Sequence, residues 1–150
     1  MPTFDTKNFG RVEFEPQDTI EFPRGLPGFD DRRRFLAIRQ ERTAPLVFLQ
    51  SLEDPDLCFT TAPVLSVDPE FRLKLSEEDL DVVGLASVRK PRLGKEVWAL
   101  AVIAVRETGP TANLLAPVVI NLRSLRAVQA VMQETTYSHQ HALAQPVAVC

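Results

Sequence analysis

The chain has 150 residues, of which 45% are hydrophobic and 25% are charged, and 17 Lys and Arg against 20 Asp and Glu give a formal net charge of −3 at pH 7. A chain of this length buries enough surface to fold as one domain without metal or disulfide staples. The composition excludes a disordered chain, a collagen-like chain and a coiled coil. The acidic balance disfavours sequence-independent nucleic-acid binding, which depends on cationic contacts to phosphate.

The cellular location is predicted from what the sequence lacks. No stretch reaches the roughly 20 apolar residues that span a bilayer. The opening Met-Pro-Thr-Phe-Asp has neither the basic nor the apolar region of a secretion signal. We therefore expect a cytoplasmic protein with no membrane contact. In that reducing compartment Cys58 and Cys150 are expected to be free thiols, with Cys58 in the core and Cys150 frayed at the end of the sequence.

The apolar residues mostly follow the spacing of strands, and twelve scattered prolines leave little room for long helices. In chain order, short strands are predicted at residues 12–14, 20–22, 35–38, 46–49, 57–61, 71–75, 97–105 and 118–120. The run 97–105 is the longest, so we expect a central strand that is covered on both faces. Many short strands with turn signals between them indicate an all-β sandwich or barrel.

Three segments have a different pattern. Ser76 before three acidic residues predicts a short helix, because serine caps the first amides and acids favour the positive helix end, and Gly84 is expected to end it. Residues 124–133 suit either a helix or a strand, and closure of a barrel favours a strand. Residues 142–150 are predicted to be a disordered tail after a single domain of residues 1–141.

The charges are unevenly distributed along the chain. Residues 53–81 hold nine acids against Arg72 and Lys74, a net of −7, whereas residues 24–42 hold six arginines against three acids, a net of +3. An acidic segment that folds into one patch would steer a basic partner. The alternative is that these acids only solvate loops and a helix start.

No catalytic arrangement is evident. His139 and His141 could place two metal ligands on one side of a strand, but no third ligand follows at a suitable spacing, so we expect solvated tail histidines. Cys58 has the apolar neighbours Leu57 and Phe59, which do not stabilise a thiolate. We therefore predict no enzyme activity, no metal and no cofactor.

The most specific local feature is the octapeptide from Phe22 to Phe29, Phe-Pro-Arg-Gly-Leu-Pro-Gly-Phe. Proline restricts φ to about −65° and glycine reaches positive φ, so these residues predict a rigid double turn after a strand. Two interpretations remain open at this point. The turn either closes one end of the fold or presents a preformed apolar loop to a partner.

This octapeptide resembles the characteristic turn of the bacterial flagellar assembly factor FliW family. Two further blocks of that family are similar to parts of this chain. They are residues 48–59, Phe-Leu-Gln-Ser-Leu-Glu-Asp-Pro-Asp-Leu-Cys-Phe, and residues 112–121, Ala-Asn-Leu-Leu-Ala-Pro-Val-Val-Ile-Asn. The opening residues 5–20 and the ending around Gln129 and Tyr137 also resemble it. Three blocks in this order are a specific signal, and the resemblance covers nearly the whole chain.

The resemblance implies a function as well as a fold. Proteins of this family are cytoplasmic and not enzymes. They bind the translational repressor CsrA away from its RNA site and relieve its block on flagellin mRNA. They also bind flagellin, which competes, so that free flagellin returns the repressor to action. The resemblance implies a small closed β-structure with little helix.

Together these observations predict an all-β protein, a small closed or nearly closed antiparallel β-barrel-like domain with one or two short helices. The candidate acidic face for CsrA is Glu53, Asp54, Asp56, Glu77, Glu78 and Asp79. The candidate contacts for flagellin, whose unassembled terminal segments are apolar, are Leu26, Phe29, Asn113 and Asn121. We expect no direct contact with nucleic acid.

Two alternatives belong to other functional classes. An RNA-binding small barrel would need surface aromatic residues and a basic groove, and one Trp, one Tyr and a negative net charge argue against it. A small-barrel enzyme or ligand-binding protein would use the cationic stretch to hold an anion. That stretch consists of Arg89, Lys90, Arg92 and Lys95.

Overall fold

The computed structural model describes residues 1–88, 90–133 and 135–150. Its strands are β1 (Thr3–Thr6), β2 (Gly10–Glu13), β3 (Ile20–Glu21), β4 (Arg34–Ile38), β5 (Val47–Ser51), β6 (Cys58–Pro63), β7 (Val97–Arg106), β8 (Gly109–Ala112), β9 (Val118–Asn121), β10 (Ala127–Gln129) and β11 (His141–Ala142). Its helices are α1 (Val64–Val67) and α2 (Glu77–Val82), with 3-10 turns at Pro16–Asp18 and Glu41–Thr43. Among the described residues, no helix is long and apolar enough to cross a membrane.

Seven strands form one antiparallel path in the order β10-β9-β7-β6-β5-β4-β3. The two ends of this path approach each other, because the N–H of Glu21 donates to the carbonyl of Leu125 at 3.0 Å. One parallel bridge, between Glu21 and Arg126, accompanies this bond. The sheet is therefore a nearly closed barrel, which confirms the predicted fold class. The β1–β2 hairpin pairs separately from this sheet.

Large apolar side chains fill the inside of the barrel. The register pairs Ala37 with Leu49, which places both side chains on one face, and strand alternation adds Phe35 to that face. Phe22, Phe35, Leu49, Leu100 and Ile120 are fully buried within this cluster. Each such burial stabilises the fold by roughly 1.5–3 kcal/mol relative to an exposed side chain.

Strand β7 is central, as its sequence predicts, and pairs with β6, β8 and β9. Its inward side chain Leu100 belongs to the barrel interior, whereas Ala99 and Ile103 belong to a second core cluster on the other face. Phe71 and Met132 join that second cluster from outside the sheet. Both faces of the strand are covered from Val97 to Ile103, whereas Ala104 and Val105 at the end of the predicted run are exposed.

Helix α2 begins and ends where the sequence predicts. The Oγ of Ser76 accepts a hydrogen bond from the N–H of Asp79 at 3.1 Å, which caps the first turn. Gly84, at a φ of +78°, follows the last turn. The ambiguous segment 124–133 contains a strand, β10, whose register pairs Val128 with Val119.

The predicted strand at residues 71–75 is wrong, because the backbone there pairs with no strand of the described chain. Phe71 is nevertheless buried and stacks on Tyr137 with ring centroids 4.5 Å apart. The Tyr137 hydroxyl accepts a bond from the N–H of Arg72 at 2.8 Å. An extended unpaired segment buries alternate side chains as a strand does, so the periodicity did not distinguish the two.

The expectation of two free thiols is also wrong, because Cys58 and Cys150 form a disulfide across 92 positions of sequence. Strand β11 pairs with β8 and turns the following residues back towards β6, where Cys58 lies. Sequence separation therefore hid a proximity that the topology creates. The predicted disorder of residues 142–150 stays a prediction.

Candidate protein-binding face

The turn of residues 22–29 covers one end of the barrel. Leu26 and Phe29 bond to each other through their backbones, with the N–H of Phe29 donating to the carbonyl of Leu26 at 2.7 Å. A cavity of about 70 Å³ lies below the turn and is lined by Leu26, Pro27, Leu49, Phe59, Val102, Val118 and Gln129. The turn thus closes the fold at this end, which is the first of the two interpretations of the octapeptide.

The two apolar candidates on this turn differ in exposure. Leu26 is 5% exposed and belongs to the barrel interior, whereas Phe29 is 37% exposed. The Phe29 ring stands edge-on to Phe59 with centroids 5.5 Å apart. Leu26 therefore anchors the turn, and Phe29 presents apolar surface to solvent. The turn therefore closes the fold, and presentation of Phe29 to a partner stays a prediction.

One group of candidate acids occupies the connection between β5 and β6. The Oε1 of Glu53 accepts the backbone N–H groups of Arg33 and Arg34 at 2.7 and 2.8 Å. The Oδ1 of Asp54 accepts the N–H of Asp56 at 3.0 Å. The Asp54 carboxylate also pairs with Arg32 at 3.6 Å. Glu53 and Asp54 therefore hold the chain that leads into β4.

The other group of candidate acids begins helix α2. The Oε1 of Glu78 accepts from the Nη1 of Arg24 at 2.9 Å, which ties the helix start to the turn of residues 22–29. Glu77 is exposed and Asp79 is half-buried. The structure therefore attaches both acidic groups to the single segment 24–34. We call this segment and the six acids the turn face.

Arginines contribute much of the charge of the turn face. The carboxylate of Asp31, through a hydrogen bond to the guanidinium and then through its charge, raises the pKa of Arg32 above its ordinary value. Arg24 and Arg32 each pair with one of the candidate acids. The face is therefore a mixture of both signs. Of the six candidate acids, Glu77 and Asp56 are exposed and form no ion pair or hydrogen bond with an arginine among the described residues.

The two candidate asparagines make internal hydrogen bonds. Asn121 is 6% exposed, and its Nδ2 donates to the carbonyl of Val83 at 2.8 Å while its Oδ1 accepts the N–H of Arg123 at 2.9 Å. The Oδ1 of Asn113 accepts the N–H of Ala116 at 2.9 Å. Asn121 thus joins β9 to the end of α2, and Asn113 shapes the loop before β9.

Sequence reasoning missed several residues of this region. Phe59 supports the Phe29 ring, and Arg24 and Arg32 pair with the acids. The alternation of residues 57–61 placed Phe59 in a strand, but only the sheet register shows that it lies beneath the turn. The sequence shows the clustering of arginines in residues 24–42, but it does not show which acids pair with them.

The described residues show no arrangement that suggests metal binding. No group of three or more His, Cys, Asp and Glu side chains could hold a metal ion within residues 1–88, 90–133 and 135–150. Within the cationic stretch, Arg89 lies outside the described residues and the Nε of Arg92 donates to Glu96 at 3.2 Å. Lys90 and Lys95 are exposed.

Comparison with known proteins agrees with this geometry. The family model described as FliW protein matches residues 3–143. The chain belongs to the FliW family. A flagellar assembly factor FliW of Desulfitobacterium hafniense (strain Y51) is 31% identical over 139 residues, covering 93% of this chain and 89% of the relative. A flagellar assembly factor FliW of Azoarcus sp. (strain BH72) is 34% identical over 134 residues, covering 83% and 86%.

A solved structure supports the same assignment. The crystal structure of a flagellar assembly factor FliW superimposes with a TM-score of 0.82 at 28% identity, covering 94% of this chain and 96% of that chain. The nearly closed barrel is therefore the FliW fold. The family resemblance carried by residues 22–29, 48–59 and 112–121 is confirmed, as is a role in flagellum biogenesis.

Proposed function

We propose that this FliW-family protein acts in the cytoplasm by binding two proteins in competition. It binds the repressor CsrA and relieves repression of flagellin mRNA, and it binds flagellin, which displaces CsrA. Membership of the FliW family, from the match over residues 3–143, is the observation that carries this proposal. The role needs no catalysis, no cofactor and no direct contact with nucleic acid or membrane.

The acids of the turn face are our candidates for CsrA. A repressor that binds RNA is basic in part, so exposed carboxylates increase the rate at which it associates. Glu77 and Asp56 offer such carboxylates without an internal arginine partner among the described residues. The other four acids shape the same face: Glu53, Asp54, Glu78 and Asp79. Three of them, Glu53, Asp54 and Glu78, do so through bonds to segment 24–34.

The apolar part of the turn face is our candidate for flagellin. Phe29 is a large exposed side chain whose ring is held by Phe59, so little conformational freedom is lost when a partner covers it. Leu26 holds the turn from beneath. Asn113 and Asn121 act indirectly, since their side chains fix the loop and the strand end.

Co-purification tests the proposal. The tagged full chain is mixed with CsrA and with flagellin from the same genome, first separately and then together. We expect a complex with each partner and release of CsrA as flagellin is added. A ternary complex that holds both partners without displacement, or no complex with either, would contradict the proposal.

The RNA-binding alternative is tested in parallel. Filter binding of single-stranded RNA to the chain alone at moderate salt should show no retention above that of an unrelated acidic protein. Retention that falls steeply with added salt would indicate phosphate contacts and would favour the small-barrel RNA-binding function instead.

A further inference from the structure

Residues 143–150, which we call the strap, are held at both ends. At the first end, β11 pairs with β8, and the N–H of Leu143 donates to the carbonyl of Pro110 at 3.0 Å. At the second end, Cys150 is bonded to Cys58, and its N–H donates to the Oγ1 of Thr60 at 3.0 Å. The strap therefore leaves the sheet at β8 and returns to it at β6.

Between these two ends the strap crosses a groove of about 480 Å³. One side of the groove is lined by residues 42–46, Ala62, Ser66, Val67 and Ile103, and the other side by residues 143–148. Leu143 and Val147 pack against the outer core cluster. No backbone hydrogen bond joins residues 144–149 to another part of the described chain. Side-chain packing and the Cys150 anchor therefore hold the strap in place.

Thiol–disulfide exchange requires that a thiolate reach one of the two sulfur atoms. Cys58 and Cys150 are both half-buried, so neither residue is enclosed in the core. In reduction, the thiolate of a dithiol attacks one sulfur, the other sulfur leaves as a thiolate and takes up a proton, and the second thiol of the reductant resolves the mixed disulfide. The protein gains two electrons and two protons, and the dithiol becomes a disulfide. A small-molecule disulfide reverses the reaction.

Thr60 positions the strap end for closure. Its side chain is 4% exposed, and its Oγ1 lies 3.5 Å from the Sγ of Cys150 while accepting the N–H of the same residue. A hydroxyl accepts with its lone pairs and donates with its proton at the same time. Thr60 therefore holds Cys150 next to Cys58 through two contacts that do not require the covalent bond.

We propose that Cys58 and Cys150 form a thiol–disulfide switch that latches the strap over its groove. The oxidised pair holds residues 143–150 closed, and reduction releases them and opens the groove. In a reducing compartment, disulfides are usually transient and redox-sensing. Because residues 144–150 lie beyond the match of the family model at residue 143, the latch goes beyond the function proposed for the family.

The test uses the full chain without partners, so that its outcome is independent of the proposed function. The protein is equilibrated with dithiothreitol or with glutathione disulfide, free thiols are alkylated and counted by mass, and hydrogen–deuterium exchange is followed. We expect no free thiol in the oxidised sample and two in the reduced one. The amides of Leu143 and Cys150, which donate hydrogen bonds in the closed strap, should exchange about tenfold faster after reduction, whereas residues 118–121 of β9 should not change.

Variants separate the latch from a general effect of the reagents. Cys150→Ser should exchange at the fast rate in both buffers. At intermediate ratios of glutathione to glutathione disulfide, a smaller fraction of Thr60→Val than of the wild type should carry the disulfide. Thr111→Val, which changes a buried threonine of β8, should leave that fraction unchanged. Two free thiols in glutathione disulfide, or equal exchange of the Leu143 and Cys150 amides in both states of the wild type, would overturn the switch. An unchanged disulfide fraction in Thr60→Val would overturn the role given to that hydroxyl.

Discussion

Asn121 at the end of β9 donates through its Nδ2 to the carbonyl of Val83 at 2.8 Å, and this bond joins the barrel to the end of helix α2. Both residues are buried, so neither group has water as a substitute partner. Asn121 thus makes a structural contact between two elements, through residues that are 38 positions apart.

Asn121→Ala should destabilise the fold because it leaves the Val83 carbonyl buried without a donor. We expect a loss of about 1–3 kcal/mol in the free energy of unfolding, measured by urea denaturation. Asn113→Ala is the matched control, because Asn113 is only half-buried and its bond stays within its own loop. Equal losses for the two variants would show that the Asn121–Val83 bond has no special role.

Two glycines of the turn face provide a matched pair. Gly25 and Gly28 have φ of +67° and +84°, where an alanine costs roughly 1–2 kcal/mol. A Cβ on Gly25 would also lie 2.6 Å from the carbonyl oxygen of Asp30, whereas a Cβ on Gly28 would meet nothing within 4 Å. Gly25→Ala should therefore lower the unfolding free energy more than Gly28→Ala does, as measured by urea denaturation. The reverse order would contradict the close approach of the two backbone segments.

Reversing the unpaired acids should slow association with CsrA. Asp56→Lys with Glu77→Lys changes the charge of the turn face by four units without removing an arginine partner among the described residues. We expect an association rate about tenfold lower at low salt and a weaker dependence on salt, measured by stopped-flow fluorescence. Glu13→Lys with Glu107→Lys makes the same change elsewhere on the surface. Equal slowing by both pairs would indicate net charge alone, and the turn face would lose its proposed role.

Removing the exposed ring of the turn face should weaken flagellin binding. Phe29→Ser deletes an apolar side chain that rests on Phe59, and we expect an increase of about tenfold in the Kd for flagellin, measured by isothermal titration. Leu65→Ser is the control, since Leu65 is exposed to a similar extent, 44% against 37%. An unchanged Kd for Phe29→Ser with the fold intact would exclude this face as the flagellin site.

Strand periodicity predicted most of the sheet, since alternate residues of β4 and β7 face different environments. The same alternation at residues 71–75 gave a wrong strand, because an unpaired extended segment packs Phe71 in the same way. The strands β1, β8 and β11 were missed. They are short, and β8 (Gly109–Ala112) combines glycine, proline and threonine, so its pairing with β7 and β11 is decided by neighbours distant in sequence.

The amino-acid sequence by itself determined the class of fold, the helix capped by Ser76, the turn around Gly25 and the family. These features depend on local periods, on backbone preferences and on ordered blocks of residues. Only the tertiary structure decided the Cys58–Cys150 bond, the arginine partners of the acids and the internal role of Asn121. Each of these joins elements that are distant along the chain, and their proximity follows from strand register and chain direction, which no local pattern encodes.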